Sequence, residues 1–125
     1  MIVAIGLDVV DASRIAQALG AFGGRFEERV FTPAERREVA QRADRTLALA
    51  ARFAAKEAFL KALGTGLGPG LSFQQVEVLR AENGAPHLTL SGRAAEGARE
   101  RGVRRIHVTL THHGNIAAAA VILEA

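Results

Sequence analysis

Alternating apolar residues at the start of the chain predict a β-strand. Residues 1–10 are almost wholly apolar and rich in β-branched side chains, which favours a strand. A strand places every second residue on one face, and one face here consists of Val3, Ile5, Leu7 and Val9. The opposite face carries a carboxylate, Asp8. A helix capped by Asp11 or Ser13 is predicted to follow and to end near Leu19, before several glycines.

The longest helical pattern spans residues 44–64 and predicts a mostly buried helix. Within residues 47–63 its charged side chains are Arg52, Lys56, Glu57 and Lys61, and the others are almost all alanine, leucine and phenylalanine. Successive helical residues turn by about 100°, so Arg52 with Lys56 and Glu57 with Lys61 form two stripes roughly 140° apart. Two charged stripes on an apolar helix indicate contact with two polar sites.

Short helices and paired strands are predicted for most of the remaining chain. Thr32, Pro33 and Glu35 have the spacing of a helix start with a capping box. Strands are predicted at residues 72–80, 87–90, 107–111 and 116–123, and a short helix at residues 92–101. This order predicts an α+β fold in which a mostly antiparallel sheet packs against the long buried helix, within a single domain of residues 1–125.

Composition narrows the class of protein. The chain has no cysteine, which excludes disulfides and thiolate metal sites. No basic run precedes the apolar start, as it would in a signal peptide. The longest apolar run, residues 116–123, is too short to span a bilayer as a helix, so we expect a cytoplasmic protein without a membrane partner. The sixteen basic residues include only two lysines, Lys56 and Lys61, both in the long helix.

Several residues have both a structural and a chemical interpretation. A carboxylate in an apolar strand is costly unless it is paired or bound to a cation, but Asp8 also fits a strand-end residue that caps the next helix. Glu57 and Lys61, four residues apart, form either a surface ion pair or part of a polar site. Gly64 fits a helix C-cap, because phosphate-binding loops precede their helix. His112 and His113 end a strand before a turn, where both exposed and functional histidines occur.

Four stretches resemble the small type of phosphopantetheinyl transferase, the holo-(acyl-carrier-protein) synthases. They read IVAIGLDVVDASRI, RVFTPAE, RFAAKEAFLKALGTGLG and HVTLTHHGNIAAAAVI, and ENGAPHL in the predicted hairpin adds support. The third stretch is highly specific, and the first is specific in combination with it. The resemblance covers nearly the whole chain. It implies the fold of that family and transfer of 4′-phosphopantetheine from coenzyme A to a serine of apo-acyl carrier protein, releasing 3′,5′-ADP, in fatty acid biosynthesis.

The resemblance also implies roles for individual residues. Asp8 and Glu57 match the carboxylates that hold Mg²⁺ against the pyrophosphate of coenzyme A, and oxygen ligands suit this ion. Lys61 would neutralise the departing 3′,5′-ADP, and the proton of the attacking serine would go either to Glu57 or to a metal-bound water. The other residues matched to coenzyme A binding are Arg52, Lys56, Gly64 and His112. His113 has no fixed role.

Partners follow from the same resemblance. The family forms homotrimers with active sites between subunits, so Arg52 and Lys56 are expected to reach phosphate from a neighbouring subunit. Arg14 matches an arginine that contacts the acidic carrier protein, and Arg25 is expected to help, whereas Arg29 is equally well a solvated charge. A nucleic-acid-binding module is the alternative that the arginines and the pI of about 10.5 raise. The absence of tyrosine and tryptophan argues against it.

Overall fold

The computed structural model describes residues 1–21 and 23–125, and these form an α+β fold with the strands at both ends of the described chain. The strands are β1 (Ile2–Asp11), β2 (Val76–Arg80), β3 (Pro86–Leu90), β4 (Arg105–His113) and β5 (Ile116–Glu124). The helices are α1 (Ala12–Ala21), α2 (Arg25–Val30), α3 (Pro33–Val39), α4 (Arg45–Leu63) and α5 (Gly92–Glu100). All strand pairs are antiparallel: β1, β5 and β4 form one sheet in that order, and β2 and β3 form a hairpin. The predicted fold class is confirmed.

The helix α4 packs along the inner face of the three-stranded sheet. Its core-facing residues are mainly alanines, and the opposing positions of β5 are Ala117, Ala119, Val121 and Leu123. Small side chains on both surfaces allow a close approach, and the closest point is Gly6 of β1. A Cβ atom added to Gly6 would lie 1.8 Å from the carbonyl oxygen of Ala58. Only glycine fits where the strand meets the helix backbone.

Local signals in the sequence set several element ends correctly. The side chain of Asp11, one of the two predicted caps, accepts a hydrogen bond from the Ser13 backbone amide at 2.9 Å, where α1 begins. Thr32 and Glu35 form the predicted capping box at the start of α3. The long helix ends at Gly64, which has a left-handed backbone (φ 84°) as a C-cap.

Two segments differ from the sequence-based prediction. Helix α2 was not predicted, because a six-residue helix has too few internal hydrogen bonds to be favoured locally. It is held by burial of Val30 and by edge-to-face packing of Phe26 on Phe31. The strand predicted from residue 72 begins only at Val76, because a 3₁₀ turn, Phe73–Gln75, precedes it. The buried Lys56 ammonium donates to the carbonyl oxygens of Phe73, the first residue of this turn, and Val76, the residue after it, and the alternation of apolar residues does not reveal these contacts.

The outer face of the three-stranded sheet is apolar and exposed. Ile5, Leu7 and Val9 of β1 are 64%, 60% and 59% exposed, and Ile116 of β5 is 41% exposed. The β1 residues lie opposite Ile122, Ala120 and Ala118 of β5, which continue the same face. Exposed apolar patches of this kind commonly mark interaction surfaces.

No helix in the described part of the chain is long and apolar enough to cross a membrane.

We expect Gly6→Ala to destabilise the protein, because the added methyl group would overlap Ala58 and force β1 away from α4. Overpacking of this kind costs about 1–3 kcal/mol, occasionally more. Chemical denaturation of the purified variant measures the change in the free energy of unfolding. The matched control is Gly20→Ala. Gly20 lies in helix α1, and a Cβ atom added there meets nothing within 4 Å. The control should be neutral or stabilising, and equal stability of the two variants would contradict the packing argument.

Candidate active site

Strand β1 and helix α4 bring two carboxylates and a lysine together. Asp8 lies on the inner face of β1, opposite Ala119 of β5, and its side chain is 14% exposed. Lys61 of α4 donates from Nζ to Asp8 Oδ1 at 2.7 Å and to the Leu7 carbonyl oxygen at 3.1 Å. Glu57, one helical turn before Lys61, is half-buried beside them. The three residues that the sequence places in one catalytic group are therefore neighbours in the structure.

Burial and the neighbouring charges shift the pKa values of Glu57 and Lys61. Burial raises the pKa of Glu57 above the ordinary glutamate value, and repulsion from Asp8 raises it further, while Lys61 and Arg14 act in the opposite direction. The hydrogen bond to Asp8 raises the pKa of Lys61, so its ammonium stays charged at neutral pH. Arg14 of α1 is thus close enough to act on Glu57 through its charge. The cluster thus combines a carboxylate whose ionised form is disfavoured, Glu57, with a lysine that stays charged, Lys61.

The donor set at Asp8 and Glu57 fits a hard divalent cation. Two carboxylates that repel each other are stabilised by a cation between them, and Mg²⁺ prefers oxygen ligands while keeping several waters or substrate phosphates. In the described residues, no group of three or more histidine, cysteine or acidic side chains is arranged to hold a metal. The protein would therefore supply two ligands, and phosphate oxygens and water the others.

A second cluster lies at the other end of α4. Arg52 and His112 line a cavity of about 80 Å³ at the start of the helix, beside the ends of β2 and β4. The Arg52 side chain is almost fully buried, bound to Glu38 and the Ala48 carbonyl oxygen. Its Nε is the one buried side-chain nitrogen or oxygen without a hydrogen-bond partner in residues 1–21 and 23–125. The full lining is Arg42, Asp44, Leu47, Ala48, Ala51, Arg52, Arg80, Leu110, Thr111 and His112.

Lys56 is placed differently from its predicted role. The side chain is fully buried, and Nζ donates to Glu35 Oε1 at 2.8 Å and to the carbonyl oxygens of Phe73 and Val76 at 3.0 and 2.7 Å. Three partners satisfy all three ammonium donors, so none is left for a phosphate. Burial lowers the pKa of Lys56, and the Glu35 carboxylate opposes this shift. The predicted contact of Lys56 with coenzyme A is therefore corrected to a structural ion pair.

The other predicted residues lie at the surface. Gly64 ends α4 one turn beyond Lys61, and the exposed glycine-containing segment 64–70 follows it. Arg14 of α1 and Arg25 of α2 are exposed, and Arg25 lines an open groove with Arg29 and Gln74. His113 is the last residue of β4 and is also exposed, but it does not line the cavity that contains His112.

Sequence reasoning missed the residues that support these two clusters. Glu35 was identified only as a capping residue, yet it also binds Lys56 and the Val78 backbone amide, at 2.8 Å each. Glu38, Arg42, Asp44 and Arg80 were not singled out, although Glu38 anchors Arg52 and the others line its cavity. Asp44 is the predicted first residue of the long helix and Arg42 lies two residues before it, which was the available signal.

Comparison with known proteins identifies the class. The family profile of the 4′-phosphopantetheinyl transferase superfamily matches residues 4–121. The chain belongs to this superfamily.

Within this superfamily, the chain is similar to individual proteins of one name over nearly its full length. A holo-(acyl-carrier-protein) synthase of Anaeromyxobacter dehalogenans is 52% identical over 127 residues, covering 99% of this chain and 97% of that protein. The crystal structure of a holo-(acyl-carrier-protein) synthase from Neisseria meningitidis superposes with a TM-score of 0.90 at 34% identity, covering 100% of both chains. The enzyme of that name from Bacillus anthracis, in complex with coenzyme A (3′,5′-ADP), gives a TM-score of 0.82 at 35% identity, covering 100% of this chain and 98% of that chain.

We expect Lys56→Met to lower the free energy of unfolding by about 3–5 kcal/mol, because it leaves the Glu35 carboxylate buried without a cation. The double variant Glu35→Gln with Lys56→Met should cost less than the sum of the two single changes, since neither charge of the pair remains. Denaturant unfolding of all three variants measures the coupling. Lys61→Met is the matched control, because its side chain is 55% exposed. Additive losses at Glu35 and Lys56 would show that the pair is not coupled.

Proposed function

We propose that this protein transfers 4′-phosphopantetheine from coenzyme A to a serine hydroxyl of an acyl carrier protein, with residues 1–125 acting as one domain. The observation that carries the proposal is the cluster of Asp8, Glu57 and Lys61 in a chain of this superfamily. The names of the relatives and the coenzyme A complex of the Bacillus anthracis enzyme support it. A role in fatty acid biosynthesis and a cytoplasmic location belong to the same proposal.

Asp8 and Glu57 are proposed to hold Mg²⁺, which when bound supplies neutralisation of the pyrophosphate charge. Lys61 donates to Asp8 Oδ1, and its ammonium is proposed to donate to the leaving phosphate in exchange for this contact. The serine oxygen attacks the phosphorus that carries pantetheine, and the bond from this phosphorus to the bridging oxygen breaks. The products are the phosphopantetheinyl serine ester, 3′,5′-ADP and one proton.

Glu57 is proposed to accept that proton. A general base is most effective when its pKa lies near the working pH, and burial and the Asp8 charge raise the pKa of Glu57 in this direction. An exposed glutamate would be a weaker acceptor. We therefore favour Glu57 over a metal-bound water as the acceptor.

The adenosine phosphates are proposed to bind in the cavity of Arg52 and His112. Both residues line it, and the unpartnered Arg52 Nε supports an anionic ligand, because buried donors normally have a partner. The backbone of Gly64 is proposed to contact the pantetheine part of coenzyme A, since the loop after Gly64 is exposed and begins near Lys61. Lys56 is not part of this proposal.

We further propose a homotrimer with active sites between subunits. Within one chain, Arg52 and His112 lie toward the start of α4, whereas Glu57 and Lys61 lie farther along the helix against β1. A neighbouring copy that supplies its nucleotide cavity would complete the site. The exposed outer sheet face of Ile5, Leu7 and Val9 supplies an apolar surface for this association.

The acidic carrier protein is proposed to dock on α1 and α2. Arg14 is exposed on α1 and acts electrostatically on Glu57, so a carrier bound there would lie next to the residues proposed to react. Arg25 is exposed on α2. Complementary charge would mainly raise the encounter rate and set the orientation of the carrier.

We expect Asp8→Asn and Glu57→Gln each to lower the rate of phosphopantetheine transfer by roughly 100-fold or more, the scale of losing one electrostatic stabiliser. Mass spectrometry of an apo carrier incubated with enzyme, coenzyme A and Mg²⁺ measures the transfer. In the parent enzyme, activity should fall at low pH, as the Glu57 carboxylate becomes protonated and no longer serves as a ligand of Mg²⁺. Glu96→Gln on α5 is the control and should keep normal activity. Normal transfer by Glu57→Gln would refute the assignment, and no transfer by the parent enzyme would refute the proposed function.

We expect a mixture of His112→Gln and Glu57→Gln subunits to regain activity that neither variant has alone. In randomly exchanged trimers with shared sites, about one quarter of the sites combine an intact Glu57 with an intact His112 from the neighbour. Recovery toward one quarter of parental activity after denaturation and joint refolding is the expected measurement. If exchange is shown by mixed-mass trimers and no activity returns, both residues act within one chain.

A further inference from the structure

Asp44 stands at the N-cap position of α4 without capping the helix. The side chain makes no hydrogen bond to the first turn, although aspartate in this position normally does. It instead accepts two hydrogen bonds from one guanidinium: Arg42 Nε to Oδ1 at 2.8 Å and Nη2 to Oδ2 at 2.9 Å. The two-pronged geometry of this pair is the one by which arginine also binds phosphate.

The pair lies in the cavity proposed to bind the adenosine phosphates. The charged and titratable residues around that cavity are Arg42, Arg52, Arg80, His112 and Asp44, so Asp44 is the one acidic side chain in the lining. The hydrogen bonds from Arg42 lower the pKa of the Asp44 carboxyl, and His112 acts weakly in the same direction. The neighbouring Arg52 is almost fully buried, with Nε unpartnered. A carboxylate therefore occupies the phosphate-binding fork of Arg42 inside an otherwise cationic cavity.

The Arg42–Asp44 pair is suited to exchange. The two side chains are 36% and 44% exposed, and ion pairs in such positions contribute little to stability. The pair of the buried Arg52 with the partly buried Glu38 differs, because Glu38 also accepts from the Arg80 backbone amide and holds Arg52 to β2. An incoming phosphate can therefore replace Asp44 on Arg42 without disturbing the fold.

We propose that Asp44 is an internal competitor for the phosphate site, which sets the affinity for the nucleotide by occupying Arg42 until a ligand phosphate displaces it. Arg42 then becomes a contact of the bound nucleotide. This inference rests on the proposed function, since it assumes that the cavity receives an adenosine phosphate. It assigns the affinity-setting role to two residues that lie two positions apart, directly before α4.

Three variants test the exchange by isothermal titration calorimetry of the intact protein with 3′,5′-ADP. Asp44→Asn should tighten binding by about 2- to 5-fold, the size of one exposed charge contact. Arg42→Gln should weaken binding by a similar factor. In the Arg42→Gln background, Asp44→Asn should give a smaller gain, because the fork for which Asp44 competes is gone. Asparagine is as good an N-cap as aspartate, so the helix start is preserved.

Two controls separate the exchange from general effects. Glu100→Gln removes one partner of an exposed Arg93 pair of similar geometry on α5, away from the cavity, and should leave the affinity unchanged. Adenosine, which carries no phosphate, should bind Asp44→Asn no more tightly than the parent. Unchanged or weaker binding of 3′,5′-ADP by Asp44→Asn, or an equal gain for adenosine, would overturn the inference. Failure of the parent protein to bind 3′,5′-ADP would instead refute the proposed function on which it rests.

Discussion

The contact between Gly6 and Ala58 is the constraint on which the rest of the structure depends. The absence of a side chain at Gly6 lets the β1 backbone lie directly on the backbone of α4. Asp8 lies two residues after Gly6 on the strand, and Glu57 lies one residue before Ala58 on the helix. The distance between the two carboxylates is therefore fixed by backbone against backbone, which is far stiffer than contact through long side chains.

Helix α4 combines buried charges that hold it with half-exposed charges that are proposed to react. Lys56 and Arg52 fasten one side of the helix to α3 and to the β2 segment through Glu35 and Glu38. Glu57 and Lys61 face β1 on the other side. A buried ion pair contributes little net stability, but breaking it is costly, so it opposes any rotation or slip of the helix. The position of Glu57 is thus determined by its neighbour in the sequence.

Much of the fold followed from the sequence because local rules agree with the final structure. The capping box at Thr32, the glycine at the end of α4 and the alternation in β1 each depend on nearby residues alone. The two charged stripes also correctly indicated two polar environments around α4. The partners of Lys56 were not predictable, since it meets Glu35 across 21 positions and the carbonyl of Val76 across 20. Long-range partners of this kind, including those that shape the Phe73–Gln75 turn, leave no periodic pattern.

The pairing of β1 with β5 has a consequence for biosynthesis. The paired residues, from Ile2 with Glu124 to Asp11 with Ile116, are roughly 100 positions or more apart. A ribosome makes the strand carrying Asp8 about 100 residues before its central partner, and loop closure over such a length is slow. The emerging β1, apolar on its outer face, has to wait without its partner and is exposed to misassociation or to chaperones in that interval. Asp8 therefore gains its strand partner, Ala119, only after the intervening helices and strands have been made.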